Sequence, residues 1–341
     1  MKFMPALKIG SPKEKIILGL DIGTSAIKFA KLRFTKGGVE LCRIGIEPLQ
    51  AGLEPILKNI IKDQNIKKAN ISVCGPSTII RYVNFPKMTA QELAQSLKFE
   101  AQKHIPFSVS EVNLDAAILK SDLADNKMLV MLAAIKKDFL AARLKLIESA
   151  GFSVSNVDID SVALINAFNF NYTKEDLPQA KSIALLNIGS SFSNLSILEE
   201  GMPHLSRDIQ VAGNNFTQKL EDGLEIDFKS AEALKFTSPD KEKAQKITQG
   251  LESMLSSLAA EVRTSFDYYE SQGTLSVAKI FLSGAGSIFP GFKDLLANIL
   301  GIEVEYWDPL RKIKVSEEVD AQKIKMQLPR LAVAIGIALH S

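Results

Sequence analysis

The chain writes one short pattern twice. Residues 17–32 read ILGLDIGTSAIKFAKL, and residues 184–198 read ALLNIGSSFSNLSIL. Each is an apolar run, an acid or amide, a glycine and small hydroxyls, then a second apolar run. Aligned 166 residues apart, positions 18–32 and 184–198 share Leu20/Leu186, Ile22/Ile188, Gly23/Gly189, Ser25/Ser191 and Leu32/Leu198. Five identities in fifteen are weak alone, because apolar strands resemble one another by chance. The order of elements around each copy strengthens them. The first copy predicts strands at 16–22, 26–34 and 39–46, with turn signals at Gly23 and Gly37-Gly38. A helix at 53–62 follows, with Leu53, Ile56, Leu57, Ile60 and Ile61 on one face. The second copy predicts strands at 182–188, 192–199 and 203–209, then a helix near 214–222. A duplicated α/β unit with both hairpins facing one cleft is the simplest account. At 341 residues the chain is long for a single core, so two domains are the default.

Residues 77–150 read as an insertion, a small α+β unit of its own. TIIRYVNF is a strand ending at Pro86, and Thr89 to Glu92 is a capping box that starts a helix running to about His104. IPF stops that helix; VNLDAAIL and KMLVMLAAI are strands, and a helix from Lys137 ends at Gly151. A strand at 153–159 and a helix at 160–169 precede a polar linker, Lys174–Gln179. A long helix spans about Pro239 to Tyr269, with Ser238 as N-cap and Ile247, Leu251, Met254, Leu255, Leu258, Val262 and Phe266 as its buried face. KIFLSGAGSIFPGF is a strand, a glycine turn and a helix start, and the last helix begins near Pro329.

Composition removes several function classes. A net charge of +2 lacks the basic excess of a nucleic-acid binder. No apolar stretch approaches the roughly 18–20 residues of a membrane span. Cys42 and Cys74 form no C-x-x-C, and with no secretory signal they read as reduced cytosolic thiols. Lys2, Lys8, Lys13 and Lys15 against Glu14 read as a solvated tail. His104, His204 and His340 are scattered, and no His/Cys cluster has zinc spacing. There is no G-x-x-x-x-G-K-[ST], and GAG at 284–286 is not a full G-x-G-x-x-G.

The hairpins themselves point to phosphate. Gly23 is expected to turn the chain with φ > 0 and to clear a ligand's path. The amides of Thr24 and Ser25 then form an anion nest. Asp21 repels phosphate but suits Mg²⁺, which prefers oxygen and keeps several waters. One hairpin per domain grips a polyphosphate from both sides. The plainer reading, two ordinary β-turns, fits a lone D-x-G-x-S better than it fits a duplicated one with a later LSGAGS turn.

Several segments carry a resemblance along nearly the whole chain: GLDIGTSAIK, NFPKMTAQELAQSLKFEAQKHIPFSVSEVNLDAAIL, LLNIGSSFSNLSIL, RDIQVAGNNFTQKL, AEALK, FLSGAGS and RLAVAIGIAL. The sequence resembles the PilM family of type IV pilus assembly proteins, within the actin-like ATPase superfamily and related to FtsA. The resemblance implies a duplicated actin-like (ribonuclease H-like) α/β ATPase fold, with two domains around a nucleotide cleft. Residues 1–172 form the first domain, with the inserted subdomain at about 77–150 and the closing helix 327–341 returning to it; residues 173–326 form the second. It implies ATP or ADP with Mg²⁺ as cofactors. Asp21, Gly23, Thr24, Ser25 and Lys28 then meet the β/γ-phosphates and metal, with Asp21 as the metal residue. Gly189, Ser190 and Ser191 form the opposing hairpin with Asn187 at its base, and Gly213 and Asn214 start a helix facing the phosphates. Glu232 and Lys235 face the ribose and adenine, the competing reading being a solvated (i, i+3) ion pair. Gly284, Gly286 and Ser287 let the adenosine approach the backbone.

The resemblance also implies a partner. In PilM relatives a groove on the insertion takes the N-terminal cytoplasmic segment of PilN, a single-span inner-membrane protein. Arg81, Phe85, Phe99 and Phe107 are the residues expected there, with core packing as the competing reading for each aromatic. Pilus motor ATPases and self-association are further partners the resemblance admits. It places the protein in the cytoplasm, peripheral to the inner membrane, as an ATP-binding scaffold. A true ATPase or a sugar-kinase-like phosphotransferase is the second reading; a kinase should show a sugar-binding acid and no such insertion. An FtsA-like filament protein should show a terminal amphipathic helix; here the sequence ends at ALHS. Asn187 stands where hydrolysing relatives carry aspartate, and the helix at 160–169 offers only Asp160, Ser161 and Asn166 to orient water. Slow or absent hydrolysis is the expectation.

Overall fold

The computed structural model describes residues 14–179, 181–235, 241–273, 275–325 and 327–340. The basic tail up to Lys13 and the N-cap expected at Ser238 lie outside these residues.

Two sheets carry the duplicated pattern. The first has the spatial order β14 (Lys314–Val315), β3 (Gly38–Pro48), β2 (Ala26–Thr35), β1 (Lys15–Ile22), β4 (Lys68–Val73), β8 (Ser153–Ile159). The second runs β11 (Met202–Ile209), β10 (Ser193–Glu199), β9 (Ser182–Ile188), β12 (Val277–Ser283), β13 (Glu303–Tyr306). Leaving aside the two-residue β14, the sheets match strand for strand: an antiparallel meander of three, then two parallel strands. The repeat seen in sequence is therefore a repeat of topology. Its central strands are buried on both faces, which is why β9 reads SIALLNI without alternation.

Each sheet buries its outer face under helices. α1 (Leu53–Gln64) and α3 (Lys137–Ser149) cover the first sheet through Ile56, Leu57, Ile60, Leu140 and Ile147. α5 (Gly213–Leu224), α7 (Lys241–Glu270) and α8 (Phe292–Leu300) cover the second. The face expected on α7 is buried from Ile247 to Val262, while Phe266 is only half-buried.

The inner faces share one core. α4 (Asp160–Asn171) and α10 (Leu328–Leu339) lie between the sheets, packed with Leu32 and Leu41 from one side and Leu185 and Phe281 from the other. α10 has no polar face: every residue from Leu331 to Leu339 is buried, as a helix enclosed on all sides requires. Among the described residues no helix is long and apolar enough to cross a membrane.

The insertion is a third sheet, β5 (Thr78–Pro86), β7 (Lys127–Lys136), β6 (Val112–Leu123), antiparallel throughout. α2 (Ala90–Ala101) starts at the Thr89–Glu92 capping box and covers one face over Leu93, Met128, Val130 and Leu132. α6 (Phe228–Leu234), α9 (Ala321–Lys325) and the short β13 and β14 were not legible as periodic segments.

Gly336 marks the tightest helix contact. A Cβ built there would lie 1.9 Å from the Ala163 carbonyl oxygen. Gly336→Ala is expected to cost at or above the upper end of the ~1–3 kcal/mol typical of overpacking. Gly37→Ala, where the nearest atom would be 3.7 Å away, should cost far less. Denaturant unfolding of the two variants checks this; equal midpoints would contradict it.

Candidate nucleotide cleft

The hairpins are built alike. Gly23 N–H donates to the Ala26 carbonyl at 3.1 Å, and Gly189 N–H to the Phe192 carbonyl at 3.0 Å. They meet tip to tip between the two sheets. Thr24 Oγ1 lies 2.8 Å from Ser191 Oγ, and Ser25 Oγ 2.6 Å from Ser190 Oγ. Asn214 Nδ2 donates to Ser191 Oγ at 3.3 Å. Four hydroxyls from two halves of the chain thus converge at one place. Gly23 corrects one expectation: its φ is not in the left-handed region. What its missing side chain provides is space, since a Cβ would lie 3.3 Å from Lys28 Nζ.

The strands behind the tips carry the chemistry. Asp21 and Lys28 are cross-strand partners on β1 and β2, joined by an ion pair of 2.9 Å with both side chains largely buried. The corresponding pair on β9 and β10 is Asn187 and Asn194, with Asn187 Nδ2 donating a hydrogen bond to Asn194 Oδ1 at 2.9 Å. The same register position holds a charge pair in one half and a neutral pair in the other. Asn187 is fixed on both sides, because Ser283 Oγ donates to its Oδ1 at 3.3 Å. Asn194 Nδ2 donates onward to Asp208 Oδ1 at 2.7 Å, and Gly75 N–H reaches Asp208 Oδ2 at 2.6 Å. Asn194 was missed in sequence, although adding the repeat offset to Lys28 points to it.

Asp160 starts α4 beneath the cleft and accepts the Ser72 hydroxyl at 2.5 Å. Burial first, and then the Asp21 charge, push its carboxyl up to about 7. Burial likewise raises Asp208. Cys74 is a free thiol pushed well above its ordinary range by burial, with Asp160 and Asp208 adding to it.

The remaining cleft residues are placed differently from one another. The N–H groups of Gly213 and Asn214 already donate to the carbonyls of Gly189 (3.0 Å) and Ser190 (2.8 Å). They lock the helix onto the hairpin and are not free donors, contrary to expectation. Lys235 is 7% exposed, so its pair with Glu232 at 2.6 Å is not a solvated one. Its ammonium also donates to the Gly213 carbonyl at 3.3 Å, and burial lowers its pKa. Glu232 is the more open partner and accepts from Thr217. Ser287 is fully buried and caps the Gly284 carbonyl at 2.8 Å. A Cβ on Gly284 would fall 2.2 Å from the Ile188 carbonyl oxygen, and one on Gly286 2.9 Å from that of Gly189. The space those glycines leave is filled by the second hairpin.

The residues expected at the partner groove differ in exposure. Phe85 is 2% exposed, inside the insert's core with Leu93 and Met128, so as placed it offers no contact. Phe107 is half-buried under Lys136, and Phe99 is 68% exposed on α2. Arg81 lines a cavity of about 210 Å³ between β5 and β11. Burial lowers its pKa, and it donates a hydrogen bond to the adjacent Ile80 carbonyl at 2.9 Å.

Among the described residues no group of three or more His, Cys, Asp or Glu could hold a metal by itself. A single carboxylate, Asp21, fits Mg²⁺ held mainly by water and phosphate.

Two matching sheets around a shared helical core, each presenting a glycine hairpin to the other, define the class: a two-domain protein of the actin-like ATPase fold. Within it, the chain belongs to the family described as type IV pilus assembly protein PilM, whose sequence model matches residues 19–341. A solved PilM-PilN type IV pilus biogenesis complex is similar at a TM-score of 0.83 and 25% identity, covering 95% of this chain and 97% of that one. The ethanolamine utilization protein EutJ from Carboxydothermus hydrogenoformans is similar at a TM-score of 0.54 and 14% identity, over 98% of this chain and 92% of that one. That second likeness speaks to fold alone.

The raised Asp160 carboxyl sets a pH dependence. An aspartate titrates near 3.9 when unfolded and this one at about 7 when folded. Its contribution is therefore full below about pH 4 and is lost as pH rises to about 7. Asp160→Asn should flatten stability over that window and exceed the parent above it, by on the order of a few kcal/mol. Unfolding without nucleotide at pH 5 and pH 8 measures this; parallel losses in parent and variant would exclude it.

Proposed function

We propose that the protein is an ATP-binding scaffold of the type IV pilus assembly machinery, held at the inner membrane through the N-terminal peptide of a PilN-type protein. One observation carries the nucleotide part: equivalent hairpins from the two sheets meet at four hydroxyls, with the partly buried cation Lys28 directly behind them. ATP or ADP enters there, between Thr24-Ser25 and Ser190-Ser191. Lys28 neutralises phosphate, and Asp21 receives the Mg²⁺ through its waters. The metal screens phosphate charge when bound. Asn187 stands at the base of the second hairpin as its support. Glu232, the open end of the buried pair with Lys235, faces the nucleoside, and Gly213, Asn214, Gly284, Gly286 and Ser287 hold the wall it rests on.

Mg-ATP at saturating concentration should raise the melting temperature by mass action. Asp21→Ala should weaken the Mg²⁺-dependent part of binding. No thermal shift and no calorimetric heat at millimolar Mg-ATP would remove the cleft reading.

The neutral Asn187–Asn194 pair supports the scaffold role. Losing a charge or base beside the reacting phosphate typically costs about 10²–10⁴ in rate. Purified protein should keep ATP intact for many minutes. Steady turnover near ~10 per second, an ordinary enzyme rate, would make it a true ATPase instead. The near-neutral Asp160 is what favours that second reading, so Asp160→Asn should abolish any turnover found.

The peptide part rests on family membership and on the likeness to a PilM-PilN complex. Arg81, Phe99 and Phe107 are its proposed contacts, with Phe85 supporting them from the core. An extended peptide along an exposed strand edge gains backbone pairing for affinity. Arg81→Glu should weaken binding of a PilN-type N-terminal peptide while nucleotide binding and fold persist. Peptide-induced exchange protection confined to residues 182–324 would place the groove elsewhere.

A further inference from the structure

The root of the inserted sheet is fastened to the second domain at the hairpin tip. Gly75 opens the loop into β5 with φ +94°, and a Cβ there would lie 3.2 Å from the Phe192 ring. Its N–H binds Asp208 on β11, and Tyr82 on β5 shares a 3.0 Å hydrogen bond with Ser206, also on β11. No backbone hydrogen bond joins β5 to β11 among the described residues. The seating runs through side chains: Phe192, Asp208 and Ser206, which line the 210 Å³ cavity, and Tyr82, which bonds Ser206.

Phe192 directly follows Ser190 and Ser191, the residues that touch the first hairpin. Its repeat equivalent is Ala26, a small buried residue. In the first half this position closes the turn and nothing more. In the second it closes the turn and projects a ring onto Gly75 of the other domain.

We propose that Ser190–Phe192 is a latch: the hairpin tips and the root of the inserted sheet move as one unit, so whatever parts the hairpins also unseats β5. Phe192 is bonded directly to Ser191 and its carbonyl holds the Gly189 N–H, so a shift of the tip is passed to its ring. The Asn187–Asn194–Asp208–Gly75 hydrogen bonds run alongside and carry the same displacement. This rests on the cleft reading only for the natural wedge, a nucleotide. The consequence is that cleft occupancy and the insert's binding surface report on each other.

Hydrogen exchange on the full chain tests it. Ser25→Trp is a wedge that parts the tips without nucleotide. It should speed exchange at 188–193 and, by about tenfold, at 75–86, leaving 112–136 unchanged. Phe192→Ala alone should speed 75–86 similarly, and adding the wedge to it should give no further effect there. Faster exchange at 188–193 with 75–86 unmoved overturns the latch, as does an unmoved 75–86 in Phe192→Ala. The second variant decides the matter should the wedge fail to fold or to part the tips. Mg-ATP is the third arm. Calorimetric binding that leaves 75–86 unchanged overturns the coupling; absence of binding sinks the cleft reading while the two variants still decide the latch.

Discussion

The two halves of this protein stand in fixed relation because α4 and α10 cross backbone to backbone. Gly336 rests against the Ala163 carbonyl, and Gly19 of β1 rests against the carbonyl of Ala334 on the same helix. Alanines at 163, 167, 332, 334 and 338 keep the layers thin. The ends of α10 are fastened to opposite halves. Its Pro329 carbonyl accepts the Gly284 N–H at 2.6 Å, and Asn70 on β4 donates to the carbonyls of Ile337 (3.3 Å) and His340 (2.6 Å). His340 adds a 3.2 Å contact to the buried Asp158. A helix only a dozen residues long therefore sets the distance between the two hairpins. Bulk added at the crossing would move the cleft before it reached any residue that lines it.

Against that fixed frame the repeat has diverged where it matters. Asp21–Lys28 is an ion pair between two groups that each have other uses: the ammonium can turn to an anion, and the carboxylate can then turn to a cation. A buried pair of this kind is costly to desolvate and gains most when both charges find further partners. Asn187–Asn194 has no such freedom, since Ser283 holds one end and Asp208 the other. The first half is the responsive side of the cleft and the second its rigid wall. A wall made of a hydrogen-bonded chain transmits displacement, which is why the same chain ends on the loop that roots the insert.

The sequence made the architecture legible because both repeat copies are strongly patterned. The hairpins, the capping box at Thr89 and the long face of α7 all carry periodic or turn signals whose physics is local. The short α6, α9, β13 and β14 carry none, because tertiary packing decides elements of two to seven residues. Some site residues were legible by type while their contacts were not. Glycines 284 and 286 were read as room for a ligand, and the room is taken by a hairpin from elsewhere in the chain. Gly213 and Asn214 were read as a helix start facing the phosphates, and their amides are consumed by carbonyls of that hairpin. Phe85 was read as a groove residue with core packing as the competing reading; it alternates with Asn84 on β5 and falls on the face that α2 covers. Each error has one cause: sequence shows which groups exist, while only the fold shows which are already satisfied.

The charge balance of the cleft narrows what it can accept. Asp21, Asp160 and Asp208 come from three elements and are close enough that the first and last raise the carboxyl of the middle one. Lys28, partly buried, is paired with Asp21. In a site of low effective dielectric, like charges a few ångströms apart cost several kcal/mol. A bare polyphosphate would add to that repulsion. A phosphate already chelated by a divalent cation carries less net charge and brings the counter-ion that Asp21 lacks once Lys28 has turned away. Asp160 can meanwhile stay protonated, which removes one negative charge at no structural cost. On the proposed reading, the cleft selects the metal complex of its nucleotide by the number of carboxylates it has to keep apart, without a dedicated metal cage.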